Sequence, residues 1–247
     1  MNKRHLDRSV VMLAVFSYAL TLVVILLLVG FLLDLEQFPF QLNGTETSGL
    51  ASAIAINSFV VIAFCVSHSW LARTRTKERL SSIVPAVAER SLYVLVSSLS
   101  TLALMVSWQP ITAQIWSVES EILQLAIRSS FVLSVLFLFW TTFEHGHLEF
   151  FGIQRVLDRI RNKRSKVKPI ASTGIYGWVR HPMYVGWMLV FWITPTMTGG
   201  HLLLAVTMTA YIKVAVRFEE QDLISRTAGR YADYINEVPS VWPRHRE

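Results

Sequence analysis

Four short runs of this 247-residue chain carry residue types suited to polar chemistry. Glu144-His145-Gly146-His147-Leu148-Glu149 sets two imidazoles among carboxylates. His145 or His147 can accept a proton near neutral pH, with Glu144 or Glu149 orienting the ring. The competing account is that both histidines only end a helix and meet head groups. Tyr176, Arg180, His181, Pro182 and Tyr184 form the second run. His181 precedes proline and is pushed towards extended backbone, while Pro182 suits a first helical turn. The helix start offers backbone N–H groups and a positive dipole end, and Arg180 adds a planar fork matched to a carboxylate. Arg180 reads equally as a basic flank of an apolar helix. The third run holds Lys213, Arg217, Glu219 and Glu220. Arg217 and Lys213 share a helix face with Glu220 and compete for it, leaving Glu219 to bind hydroxyls or an ammonium. In the fourth run Tyr231 and Tyr234 share a face; they stack on a purine or pack on neighbouring helices.

The elements that position these runs are apolar. The chain is 53% hydrophobic and only 16% charged, whereas a soluble domain carries about a quarter of its residues charged. Apolar segments fall at about 11–33, 50–68, 91–108, 122–141, 183–198 and 201–218. The first is long enough for roughly 30 Å of hydrocarbon and too long for a signal-peptide core. The last two, both short, meet at Gly199-Gly200 and predict a tight helical hairpin. The expected fold is therefore an all-α, polytopic membrane bundle of about six transmembrane segments. It forms one membrane domain over 1–247, with a four-helix part at 1–141 and a cofactor-binding part at 142–247.

Basic residues set the orientation. Lys3, Arg4 and Arg8, then Arg73 to Arg90, then Arg155 to Arg180 all fall on one side of a six-span bundle. Segments 34–49, 109–120 and 199–200 carry no Lys or Arg. The basic side is expected to be cytoplasmic, with both termini there, in a bacterial inner membrane. This pattern assigns the net charge of +6 to the lipid bilayer rather than to nucleic acid; residues 155–168 form a connector touching anionic head groups. Cys65 is the only cysteine, which excludes an internal disulfide and a cysteine zinc site, and no metal is expected. All four polar runs fall at the basic end of the bundle, where such groups are costly unless paired or used.

Thr173-Gly174-Ile175-Tyr176, the stretch from Val179 to Gly186, Arg217 to Leu223, Gly229 to Tyr234 and Val238-Pro239 together resemble the C-terminal signature of the isoprenylcysteine carboxyl methyltransferase superfamily. The ordered set is specific although each piece is short. Ser67-His68-Ser69, Pro85 to Val94, Trp108-Gln109-Pro110, Phe150 to Gln154 and Phe191 to Thr198 narrow the likeness. They resemble the family of bacterial methanethiol S-methyltransferases, relatives of the NnrU-like membrane proteins. The resemblance implies S-adenosyl-L-methionine as cofactor. Its shell would comprise Tyr176, Arg180, His181, Pro182, Tyr184, Gly186, Glu219, Glu220, Tyr231 and Tyr234. The acceptor it implies is a small thiol, methanethiol giving dimethyl sulfide or hydrogen sulfide giving methanethiol. The family pattern has an Asn-His pair where this chain carries Glu144-His145, so His145, His147 and Glu144 all stand as catalytic candidates. Competing readings are a carboxyl methyltransferase of the isoprenylcysteine type, a sterol-type reductase, a di-iron oxidase and a non-enzymatic accessory protein of denitrification. Oligomeric state is not legible.

Overall fold

In hydrocarbon a backbone must satisfy its own polar groups, so long uncharged stretches become helices. The computed structural model describes residues 3–144, 146–163, 174–227 and 230–242. In chain order the helices are α1 (Lys3–Leu32), α2 (Leu50–Ala72), α3 (Thr74–Leu80), α4 (Glu89–Ser107), α5 (Glu121–Glu144), α6 (His147–Phe150), α7 (Ile153–Ile160), α8 (Pro182–Trp192), α9 (Gly199–Arg226) and α10 (Arg230–Glu237). Two short strands, β1 (Gln114–Ser117) and β2 (Thr196–Thr198), lie in connections. Among the described residues, five helices are long and apolar enough to cross a membrane: α1, α2, α4, α5 and α9. The protein is a polytopic helical membrane protein.

The expected hairpin is built differently. Its first arm, α8, has 11 residues and stops at Trp192; the chain then runs extended to Thr198, and Gly199-Gly200 begin α9 instead of forming a turn. Pro195 removes a helical donor and pushes Thr194 out of helical backbone, while Thr194, Thr196 and Thr198 favour extended structure.

The chain's contacts divide it into two compact units that interleave along the sequence. The first comprises Met1–Ile115, Phe143–Lys166 and Thr198–His201. Here α1 and α2 both pack on α4, through polar as well as apolar seams. Thr21 Oγ1 and Ser98 Oγ meet at 2.7 Å. Asn57, fully buried, brackets the end of α4: its Nδ2 donates to the Gln109 carbonyl and its Oδ1 accepts the Gln109 N–H. The small core of Val10, Ala14, Ala88 and Val156 ties α7 to α1. Gly199 and Gly200 donate to the Ala113 and Ile111 carbonyls; a Cβ on Gly200 would lie 3.2 Å from the Ile111 nitrogen, tighter than an ordinary contact, so glycine eases that approach.

The second unit comprises Trp116–Thr142, Val167–Met197 and Leu202–Glu247. Val118 N–H donates to the Pro195 carbonyl, which satisfies one of the extended residues. Trp192 Nε1 donates to Thr209 Oγ1 across the α8–α9 seam. α10 is held by Tyr231, Tyr234 and Val238, packed with Leu223 and Ile235.

Candidate active site

The polar knot of the second unit grows from the Arg180-His181-Pro182 turn. Pro182 starts α8 as its first helical residue, and His181 before it has non-helical backbone, as the sequence predicts. Arg180 and His181 are both buried. Arg180 sends Nε and Nη2 to Glu220 Oε1 at 2.9 and 2.7 Å. Its Nη1 donates to the carbonyls of Ile235 and Val238. His181 Nε2 reaches the same Glu220 oxygen at 2.9 Å. This geometry corrects two expectations. Glu220 is neutralised by Arg180 and His181 rather than by Arg217 or Lys213, which are exposed and form no ion pair among the described residues. The guanidinium fork is committed to Glu220 and the carbonyls of Ile235 and Val238. The backbone N–H groups of Arg180 and His181 are likewise taken, by the Pro239 and Ser240 carbonyls. A ligand carboxylate therefore does not find Arg180 waiting for it.

What remains open is Glu219. It accepts from Tyr184 Oη at 3.0 Å through Oε2, and His181 Nδ1 stands 3.9 Å from that oxygen. Glu219 is 48% exposed and its Oε1 has no partner among the described residues. A carboxylate aligned by a phenol and an imidazole, with one oxygen outward, accepts two donors such as vicinal hydroxyls or an ammonium.

The tyrosines and small residues divide by role. Tyr234 Oη donates to the Tyr176 carbonyl, and the Tyr231 and Tyr234 rings meet edge-on at 5.6 Å. Burial pushes both phenols' pKa values up, with the Glu220 charge adding to the rise at Tyr231. These three tyrosines close α10 onto the 174–177 turn. Pro182 is fully buried, and a Cβ on Gly186 would come 2.9 Å from Leu138 Cγ, so Gly186 lets α8 approach α5.

In the first unit the histidine run resolves in part. His145 lies outside the described residues, as do Thr173, Gly229 and residues 164–168 of the basic connector. Glu144 ends α5 and is exposed, with no partner among the described residues. His147 opens α6 and is half-buried. Its ring stacks on Phe143 at 4.5 Å and meets Phe151 edge-on at 4.9 Å. Nε2 is 2.8 Å from Tyr18 Oη. Burial lowers the His147 pKa, so the ring is neutral at pH 7 and able to take a proton. Tyr18 was not among the residues expected from sequence. The available signal was a lone phenol inside the charge-free α1 run, where a polar group needs a partner. No group of three or more His, Cys, Asp or Glu suited to a metal exists among the described residues.

Comparison with known proteins adds the following. Residues 131–230 match the phospholipid methyltransferase family; this region holds Arg180, His181, Tyr184, Glu219 and Glu220. The chain is 34% identical to the methanethiol S-methyltransferase of Crocosphaera subtropica over 98% of its own length and 95% of that protein's. It is 36% identical to methanethiol S-methyltransferase 1 of Bradyrhizobium diazoefficiens, covering 93% of this chain and 80% of the relative. Identity to the methanethiol S-methyltransferase of Mycobacterium tuberculosis is 35%, over 93% and 94% of the two chains. No solved structure matches the chain.

Proposed function

Because this chain belongs to the methanethiol S-methyltransferase family and is a membrane methyltransferase, we propose that it methylates methanethiol to dimethyl sulfide with S-adenosylmethionine as donor, on the cytoplasmic face of a bacterial inner membrane. The observation that carries this reading is Glu219, presented outward by Tyr184 and His181 while Arg180 and Glu220 neutralise each other behind it. Its open oxygen fits the hydroxyls or ammonium of a nucleoside-amino acid ligand. Tyr184 and Glu219 are the direct contacts. Arg180, His181, Glu220, Tyr176, Tyr231 and Tyr234 hold the wall, with Pro182 and Gly186 setting the path of α8.

Bound S-adenosylmethionine supplies a methyl carbon already activated by a positive sulfur, so the protein's work is alignment and deprotonation. His147, its pKa lowered by burial and its ring braced by Tyr18 and Phe143, is the candidate base for the S–H proton. A small alkanethiol, with a pKa near or above the model thiol value of about 8.5, requires such a base. Hydrogen sulfide is a second acceptor of the same chemistry. The orientation rests on the basic connections at 73–90 and 155–180.

The test supplies purified protein with methyl-labelled S-adenosylmethionine and methanethiol, and reads headspace sulfur volatiles. Labelled dimethyl sulfide is expected from the parent and not from Glu219→Ala. A parent that binds the donor yet releases no labelled thioether from either thiol defeats the reading.

A further inference from the structure

The hydrogen bond between Tyr18 and His147 decides through which atom this imidazole exchanges a proton. The chain enters the four-residue α6 at Gly146, with φ of +84°, and leaves it at Gly152, with φ of +85°. These two turns bring His147 against α1. Phe143 stacks on the imidazole and Phe151 meets it edge-on. The Tyr18 ring stands edge-on to His147 at 5.8 Å and to Phe151 at 5.3 Å. This aromatic cluster fixes the imidazole plane with Nε2 2.8 Å from the Tyr18 oxygen.

Basicity sets the direction of that bond. A neutral imidazole carries one acceptor nitrogen and one N–H, and its acceptor nitrogen is a far stronger base than a phenol oxygen. Tyr18 therefore donates to Nε2, which puts the ring proton on Nδ1. The one basic lone pair of His147 is then the one that Tyr18 covers, and a thiol does not meet it directly. The phenol oxygen has another side. His147 is the only hydrogen-bond partner of Tyr18 among the described residues, and Tyr18 is half-buried. It stands on α1 between a packed face, holding Ala14 and Ser17, and an open one, where Val15 is 59% and Leu22 39% exposed. Val15 and Leu22 lie three residues before and four after Tyr18, on its own side of the helix. An uncharged thiol dissolved in hydrocarbon reaches that strip without the desolvation cost that an ion bears.

We infer that Tyr18 is the residue that takes the thiol's proton, with His147 behind it as the terminal base. The inference rests on the thiol methyltransferase reading and adds the atom at which the acceptor is deprotonated. The S–H bond breaks towards the Tyr18 oxygen as the phenolic proton moves to His147 Nε2. The phenol is regenerated, the imidazole becomes an imidazolium, and the sulfur keeps the electron pair that makes it a nucleophile. Loss of one imidazolium proton to water resets the pair. A tyrosine and a histidine that only satisfy each other at this depth would behave differently on two counts.

The full chain in detergent is compared with Tyr18→Phe, which keeps an aromatic ring against Phe151, and with His147→Gln. Nitrogen-15 NMR of histidine-labelled protein reads the tautomer without turnover, the His147 signals being those absent from His147→Gln. The parent is expected to hold its ring proton on Nδ1, and Tyr18→Phe to shift population towards Nε2–H. Methylation is then measured at one pH with methanethiol and with hydrogen sulfide, whose more acidic S–H needs less help from a base. General-base catalysis contributes about 10²–10⁴-fold, so Tyr18→Phe is expected to lower kcat/KM for methanethiol by about a hundredfold or more. The loss with hydrogen sulfide is expected to be at least about tenfold smaller, following Brønsted behaviour, and donor affinity in equilibrium dialysis to stay unchanged. An Nε2–H tautomer in the parent overturns the inference. So does a Tyr18→Phe variant as active on methanethiol as the parent, or one that loses both acceptors equally. The expected parent tautomer, with donor bound and no methylated product from either acceptor, defeats the methyl-transfer reading instead.

Discussion

Adjacent carboxylates with different surroundings do different work. Glu220 is mostly buried and gathers Arg180 and His181 on one oxygen, while Glu219 keeps an outward oxygen. Removing one partner of a buried ion pair leaves an uncompensated charge and costs about 3–5 kcal/mol. Glu220→Ala is therefore expected to lower thermal stability sharply and to loosen α10. Glu219→Ala should leave the unfolding temperature within a degree or two of the parent and lose donor affinity. Thermal unfolding and equilibrium dialysis on both variants check the split; equal destabilisation would assign Glu219 to the scaffold. His147 carries a second expectation at this scale. Its pKa is depressed by burial below the ordinary value of about 6.5. The neutral, proton-accepting form then persists to lower pH than in a free imidazole and is lost as pH falls through the lowered value. Rate at limiting methanethiol should be flat from pH 7.5 to 6.5 and decline below. A decline already complete at pH 6.5 would point to a different base. The pairing of Glu220 was not legible because helix spacing placed Arg217 and Lys213 on its face, whereas Arg180, 40 residues away in sequence, wins through the tertiary fold.

Helix positions were legible from apolar runs, since hydrocarbon allows little else. The exception is the stretch from Ile193 to Thr198, where hydropathy alone continues the helix and Pro195 with its neighbouring threonines stops it. Apolar composition measures transfer into lipid and does not distinguish helix from a paired extended strand. Short connectors are likewise set by backbone geometry that residue types only hint at. Gly152 precedes α7 with φ of +85°, and a Cβ there would meet Ser91 Oγ at 2.9 Å and its backbone nitrogen at 3.0 Å. An L side chain combines left-handed strain with overpacking, so Gly152→Ala is expected to cost about 1–3 kcal/mol. Denaturation of the purified variant measures this. A neutral result would mean that α7 detaches from α4 without consequence for the unit.

At the scale of the molecule, the sequence-derived orientation predicts which face presents each connection. Residues 109–120 carry no Lys or Arg, while 73–90 carry five. Translocation of Lys and Arg across a bacterial inner membrane is disfavoured, which predicts the 73–90 connection inside and 109–120 outside. The structure supplies a handle for testing this, because Cys65 is the only cysteine and lies half-buried within α2. In a Cys65→Ser background, Ser82→Cys lies in the 73–90 connection and Ser120→Cys in the 109–120 connection: Ser120 immediately precedes α5, and Ser82 follows α3. Both positions are exposed. A maleimide that cannot cross membranes is expected to label Ser120→Cys in intact cells and Ser82→Cys only after permeabilisation. The reverse pattern would turn the whole bundle over and carry Glu219, which follows Arg217 at the same end of α9, to the outer face. The methyl donor proposed above is made in the cytoplasm, so that outcome would remove the function along with the orientation.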